Sequence, residues 1–282
     1  MDMAKVTELS IVRDKRVYDD VCLVTLSESS WIELYEEYAR EPSKLLSRSE
    51  LTSFSSFKSK RRKQSYLMGR LCAKTACVSL AFNEDDILLS SIEILKGVFE
   101  FPVVSHPQLS NIQVSISHVN GFACAIAYSE RHPMSIDIEC LDEKRCRTMG
   151  KKLEEDEIDC QESFCSVNKK RLSNFINTPT DLNSYFNLIN WTAKESVSKV
   201  LRTGLMCPTR FYEVKACDFL PRESFKDIYD VFGLKEGTFV CVSMFKHFSQ
   251  YKVISFLDTK LGNVISICLP KKTKLKKFNR PN

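Results

Sequence analysis

Apolar and polar positions along this chain follow two rhythms. Short β-rich runs recur at Val21-Cys22-Leu23-Val24-Thr25-Leu26, then at 92–95, 113–117, 122–128 and 134–139, and again at 238–243, 252–257 and 263–269. Each has the length and the β-branched or aromatic content of a strand. Asn120-Gly121 stands between two of them, and that dipeptide predicts a tight hairpin turn. The second rhythm is helical. Its longest instance is 56–80, with Leu67, Leu71 and Val78 on one face and Lys63, Arg70 and Lys74 on another. A shorter helix is expected from Trp31 to about Tyr38, with Ser29 or Ser30 as its N-cap, and another near Leu45. A further helix is predicted to open near Trp191. Residues 141–188 are polar and charged, with Glu154-Glu155-Asp156-Glu157 in the middle, and predict one or two helices plus a loop near 177–179. Helices and hairpin-linked strands in both halves predict an α+β fold of helices on antiparallel sheets. No residue-level internal repeat is visible.

Composition narrows the function. The chain of 282 residues is 43% hydrophobic, enough for one large core or two ordinary ones. No run of 18 apolar residues exists to span a membrane, and the opening residues lack the apolar core of a signal peptide. A cytoplasmic protein is expected. The 12 cysteines are scattered and include no C-x-x-C pair, so they read as reduced thiols. The net charge of +5 is concentrated in two blocks: five cations within residues 58–63, including Lys58, Arg62 and Lys63, and five lysines within 271–277. The first block suits phosphates or acidic partners. The second is expected to be a frayed basic tail.

The chemistry gathers in two stretches. In Ile136-Asp137-Ile138-Glu139, strand alternation puts both carboxylates on one face. In Trp191-Thr192-Ala193-Lys194-Glu195-Ser196-Val197-Ser198-Lys199, helical spacing aligns Trp191, Glu195 and Lys199. Three carboxylates with an ammonium nearby suit a hard cation such as Mg²⁺ bound with a polyphosphate. Two plainer readings compete. Asp137 and Glu139 would also fit the solvent face of an edge strand. Thr192 and Glu195 have the spacing of a helix capping box, which excludes a catalytic Glu195 because a capping Glu bends back to the backbone. His118 follows a serine pattern and is a candidate; His106, His132 and His247 have no such context. Trp191 reads as a packing anchor.

Taken in order, Val114-Ser115-Ile116-Ser117-His118, Ser135-Ile136-Asp137-Ile138-Glu139 and the Trp191–Lys199 stretch resemble the signatures of the 4′-phosphopantetheinyl transferases, closest to the Sfp-type branch. The basic run through Gly69-Arg70 and the Gly97–Val103 loop resemble further parts of that branch, so the likeness covers about 55–205. Ser135 replaces the usual Gly, and Phe101 stands where many relatives carry Lys or Gln. The resemblance implies a pseudo-dimer of two similar half-domains, 1–130 and 131–270, each a helix on a small antiparallel sheet, followed by the tail 271–282, with a site at their seam. It implies transfer of the phosphopantetheine arm of coenzyme A to a serine of an apo acyl or peptidyl carrier protein. Asp137, Glu139 and Glu195 would hold Mg²⁺, with Glu195, or a water it orients, as base. Lys199, His118 and Lys194 would contact the pyrophosphate, alongside Ser117, and Lys58, Arg62 and Lys63 would receive the 3′-phosphate. A monomer is expected. An inactive protein that binds coenzyme A or its carrier is the alternative, and a nucleic-acid binder a third, disfavoured because aromatics do not interleave the basic block.

Overall fold

Long helices laid across antiparallel sheets account for most of the buried residues. The computed structural model describes residues 4–14, 16–26, 28–81, 87–119, 121–172, 179–220, 238–258 and 262–278. Contacts divide the chain into unit 1, Met1–Ile136 with Thr273–Asn282, and unit 2, Asp137–Lys272. Unit 1 runs β1 (Lys5–Arg13), β2 (Arg16–Leu26), α1 (Glu28–Arg40), α2 (Arg48–Ser56), α3 (Lys60–Ala81), β3 (Glu93–Lys96), β4 (Pro102–Ser105), β5 (Ile112–Val119) and β6 (Phe122–Ser129). β7 (Ser135–Cys140) begins in unit 1 and enters unit 2 at Asp137; unit 2 continues with α4 (Glu143–Gly150), α5 (Glu155–Leu172), α6 (Pro179–Val200), β8 (Val214–Phe219), β9 (Thr238–Phe245), β10 (Tyr251–Asp258) and β11 (Asn263–Pro270); β12 (Lys274–Lys277) returns to unit 1.

The sheet of unit 1 has the order β12-β1-β2-β6-β5, with β3-β4 as a separate hairpin, and that of unit 2 the order β7-β11-β10-β9-β8. Small residues set the helix–sheet distance. In unit 1, Cys72, Ala73, Ala76 and Cys77 of α3 share a core with Ala123, Ala125 and Ala127 of β6. In unit 2, hydroxyls do the same: Thr192 Oγ1 and Ser255 Oγ each lie 2.7 Å from Ser266 Oγ, and Ser196 Oγ donates to the Ser266 carbonyl. Such buried hydroxyls are tolerated because each is hydrogen-bonded.

Several expectations change. The helix expected near Trp191 begins twelve residues earlier, at Pro179, where a missing N–H costs nothing. Leu182, Tyr185, Phe186, Ile189, Ala193 and Val197 then form its buried stripe. Ser29 and Ser30 lie inside α1 rather than at its cap, and the helix expected from residue 56 starts at Lys60, because Phe57 is extended. The basic tail does not fray over Lys274–Lys277: Leu275 is buried opposite Ile11 while the flanking lysines stay exposed. Asn120 of the predicted turn, and Asn177 and Thr178 of the predicted loop, lie outside the described residues; Gly121 holds a positive φ of 86° as that turn requires. No disulfide joins the cysteines. No helix among the described residues is long and apolar enough to cross a membrane.

The two units repeat one plan that the sequence hides. In each, a strand leads through helices to one long helix and then to four strands: β2, α3 and β3–β6 in unit 1; β7, α6 and β8–β11 in unit 2. The order β7-β11-β10-β9-β8 corresponds to β2-β6-β5 with the β4-β3 hairpin. A buried clasp repeats as well. Glu50 accepts from Lys74 Nζ (2.5 Å), Arg70 Nε (2.9 Å) and the N–H groups of Ser47 and Ile94 (3.0 and 3.2 Å). Glu157 accepts from Lys194 Nζ (2.6 Å), Asn190 Nδ2 (3.2 Å) and the N–H groups of Glu154 and Val214 (3.0 and 2.9 Å). Lys74 and Lys194 each sit four residues after the second side chain, so the long helices align in register. Removing one partner of a buried pair strands a charge and costs about 3–5 kcal/mol. Lys194→Ala is therefore expected to lose roughly that much in urea unfolding, and Lys74→Ala a similar amount. A loss below about 1 kcal/mol, the scale of an exposed pair, would contradict the clasp.

Candidate active site

β7 and α6 bring the predicted carboxylates of unit 2 together. β7 is an edge strand, but its side chains are not on a solvent face: Asp137 is only 5% exposed, and Ile136 and Ile138 are buried on the other side. The solvent-face reading of Asp137 and Glu139 therefore fails. Glu195, from the interior of α6, faces this strand. Its carboxyl is pushed up to about 7, first by loss of water and then by the negative charges of Asp137 and Glu139; Lys199 and Arg145 pull the other way. Glu139 is raised too, chiefly by burial and also by Asp137. These mutual effects place three carboxylates and two cations in one electrostatic cluster.

The cations are seated on the acids. Lys199 Nζ donates to Asp137 Oδ1 at 2.7 Å, and Arg145 Nη2 to Glu139 Oε1 at 2.6 Å. Glu139 Oε2 is buried and has no hydrogen-bond partner among the described residues. The capping alternative for Glu195 is removed by the early start of α6. Thr192 lies deep in the helix, and its hydroxyl bonds the Leu188 and Ile189 carbonyls and Ser266.

Lys194 departs from its expected phosphate contact. Neighbouring helical residues point about 100° apart, so with Glu195 facing β7, Lys194 is 2% exposed and held on Glu157. Trp191 is half-buried with Lys152 Nζ 4.8 Å over its ring, a packing role as expected. Arg145 was not foreseen. It lies in the first turn of α4, where Asp142 caps the helix by accepting from the Arg145 N–H, inside the polar, charged stretch 141–188. The available signal was positional: a cation in the helix that directly follows the Asp-x-Glu strand.

The remaining candidates belong to unit 1. His118 is exposed near the end of β5, beside α3. A side chain at Gly69 would come within 3.2 Å of Ile116 and 3.8 Å of His118, so Gly69 permits the close approach that supports the histidine. Ser115 and Ser117 are buried, and Ser115 Oγ accepts from the Ile136 N–H at 3.1 Å. Lys58 and Arg62 are exposed and Lys63 is half-buried; Arg62 lies over the Phe57 ring and Lys63 over Phe54, each 5.3 Å from the centroid. Phe101 packs its ring against Gly97, where any side chain would collide with it.

No family model matches the chain. A holo-[acyl-carrier-protein] synthase of Mycoplasma capricolum is 31% identical over 107 residues, covering 91% of that protein and 38% of this chain. The chain belongs to the phosphopantetheinyl transferase superfamily. The holo-[acyl-carrier-protein] synthase of Mycoplasma mycoides matches with the same identity and coverage. Among solved structures, the holo-ACP-synthase from Plasmodium yoelii is similar at 17% identity with a TM-score of 0.32, covering 45% of this chain and 95% of that one.

The superfamily implies a divalent metal, and the donor set fits one. All three candidate ligands are carboxylates, the hard oxygen donors Mg²⁺ prefers, and the orphaned Glu139 Oε2 lacks a partner that a cation would supply. As they stand, no three His, Cys, Asp or Glu residues among those described are close enough together to hold an ion. Lys199 and Arg145 occupy the carboxylates instead.

The raised Glu195 carboxyl has a consequence for stability. Its ordinary value of 4.5 applies to the unfolded chain, and about 7 to the folded one. Below pH 4.5 it is protonated in both states and costs nothing. As pH rises from 4.5 to 7 the unfolded chain ionises first, so folding stability falls, and above 7 the loss is complete. In chelator, Glu195→Gln should match the parent's stability near pH 4.5 and exceed it at pH 8, by up to about 3 kcal/mol. Thermal unfolding at both pH values checks this; a gain that is the same at both would contradict it.

Proposed function

We propose that this chain transfers the 4′-phosphopantetheine arm of coenzyme A to a serine of an apo acyl or peptidyl carrier protein and releases 3′,5′-ADP. The observation that carries the reading is the cluster of Asp137, Glu139 and Glu195 on β7 and α6, with Glu195 poised near neutrality. A general base works best when its pKa lies near the working pH. Glu195, directly or through a water, takes the proton of the carrier serine. The serine oxygen bonds to the phosphorus of the pantetheine phosphate, and the P–O bond to 3′,5′-ADP breaks.

Asp137, Glu139 and Glu195 would hold Mg²⁺, which when bound neutralises charge on the pyrophosphate. Lys199, one turn beyond Glu195, exchanges its hold on Asp137 for a phosphate oxygen. His118 is assigned to the pyrophosphate, with Ser117 alongside, and Lys58, Arg62 and Lys63 to the 3′-phosphate, on the strength of the resemblance. Lys194 receives no phosphate in this scheme, because its ammonium is committed to Glu157. The chain would act as a monomer in the cytoplasm.

Incubation with coenzyme A, Mg²⁺ and an apo carrier protein, followed by mass spectrometry of the carrier, tests the reading. The carrier should gain one phosphopantetheine at its serine. Glu195→Gln should lower turnover by roughly 10²-fold or more, the scale of a lost general base, and chelation should abolish it. An unmodified carrier, or full activity in chelator, would count against the scheme.

A further inference from the structure

Arg145 is the one member of the carboxylate cluster that neither the motif nor the proposed chemistry uses. Its guanidinium donates to Glu139 Oε1 at 2.6 Å, while Glu139 itself is only 13% exposed. Glu139 has its other oxygen buried with no hydrogen-bond partner among the described residues. An ionised carboxylate in such a place needs a counter-charge, and in the metal-free chain Arg145 is the cation that supplies it. Lys199 does the same for Asp137, but Lys199 projects from the buried α6 and is mostly covered. Arg145 comes from the first turn of the short helix α4 and is half exposed. Its side chain is therefore the one able to leave into water without opening the fold.

We propose that Arg145 is an internal counter-ion for the metal site, which holds Glu139 in the absence of metal and is exchanged for the divalent cation on binding. This deepens the transferase reading and rests on it. The exchange accounts for a donor set of suitable chemistry that is not gathered into a metal-binding arrangement. It also gives Arg145 a defined effect, as a competitor that weakens cation binding and keeps the buried Glu139 balanced when the site is empty.

The test is Mn²⁺ affinity of the full chain, read by electron paramagnetic resonance of the unbound ion, with no substrate present. Arg145→Gln removes the competitor and should tighten Mn²⁺ binding by roughly 5-fold or more, the equilibrium equivalent of about 1 kcal/mol for a partly exposed ion pair. Arg147→Gln deletes the same charge from the same helix, but among the described residues Arg147 pairs with the exposed Glu143 within α4. It should leave the affinity within about 2-fold, since an exposed charge is screened by solvent. Arg145→Lys, which keeps the charge without the guanidinium fork, should fall between the parent and Arg145→Gln. Circular dichroism at each pH used confirms that the variants are folded. Equal or weaker binding by Arg145→Gln would overturn the proposal, as would equal tightening by Arg147→Gln, which would mark a general charge effect. Should neither the parent nor Arg145→Gln bind Mn²⁺, the metal assignment fails together with the proposal. Equal affinities in both overturn the exchange alone and leave the transferase reading standing.

Discussion

Each unit is organised around one buried carboxylate that cannot be left unpaired. Glu50 and Glu157 sit at the start of a helix, accept the backbone N–H of their own cap, and draw in a lysine from the long helix and the first N–H groups of the next strand. A charge taken out of water is tolerated only when its hydrogen-bonding capacity is met. The clasp therefore fixes three elements relative to one another with a single side chain. In unit 2 it also fixes the rotation of α6. With Lys194 committed to Glu157, the adjacent Glu195 is turned toward β7, where burial first and then Asp137 and Glu139 raise its proton affinity.

The clasp repeats and the chemistry does not. Aligning Lys74 with Lys194 sets Thr75 and Ser79 of α3 opposite Glu195 and Lys199 of α6. The two helices thus share a structural skeleton, while the carboxylate and the ammonium that carry the proposed reaction occur on one of them. Nearly the whole of each Mycoplasma relative maps onto little more than a third of this chain. A chain built of two similar units, with one carrying the acidic cluster, is consistent with that proportion.

Much of the fold was legible in the sequence where periodicity was strong. The strands at 113–117, 122–128, 252–257 and 263–269 lie within β5, β6, β10 and β11. What escaped had physical reasons. The early turns of α6 are rich in Asn, Ser and aromatics, residues of middling helix propensity, and hold as helix because tertiary packing buries them. Val214–Phe219 was not singled out, although it pairs with β9 along its length. The repeat was invisible because it lies in roles rather than residues: Asn190 performs for Glu157 what Arg70 performs for Glu50. At the site, Asp137, Glu139, Glu195 and Lys199 were found by spacing, since alternation and the helical turn bring them together locally. Arg145 reaches the cluster from the helix after the strand, which leaves only a positional cue, and Glu157 reaches the clasp through tertiary contacts that no local pattern encodes.

The central claim is that one acidic site, that of Asp137, Glu139 and Glu195, carries the chemistry while its counterpart in the other unit does not. The most direct measurement is the number of divalent ions bound per chain, titrated with Mn²⁺ at neutral pH. The account predicts one ion per chain, and none at the same concentrations when Asp137→Asn and Glu195→Gln are combined. Two ions per chain, or one that persists in the double variant, would contradict it.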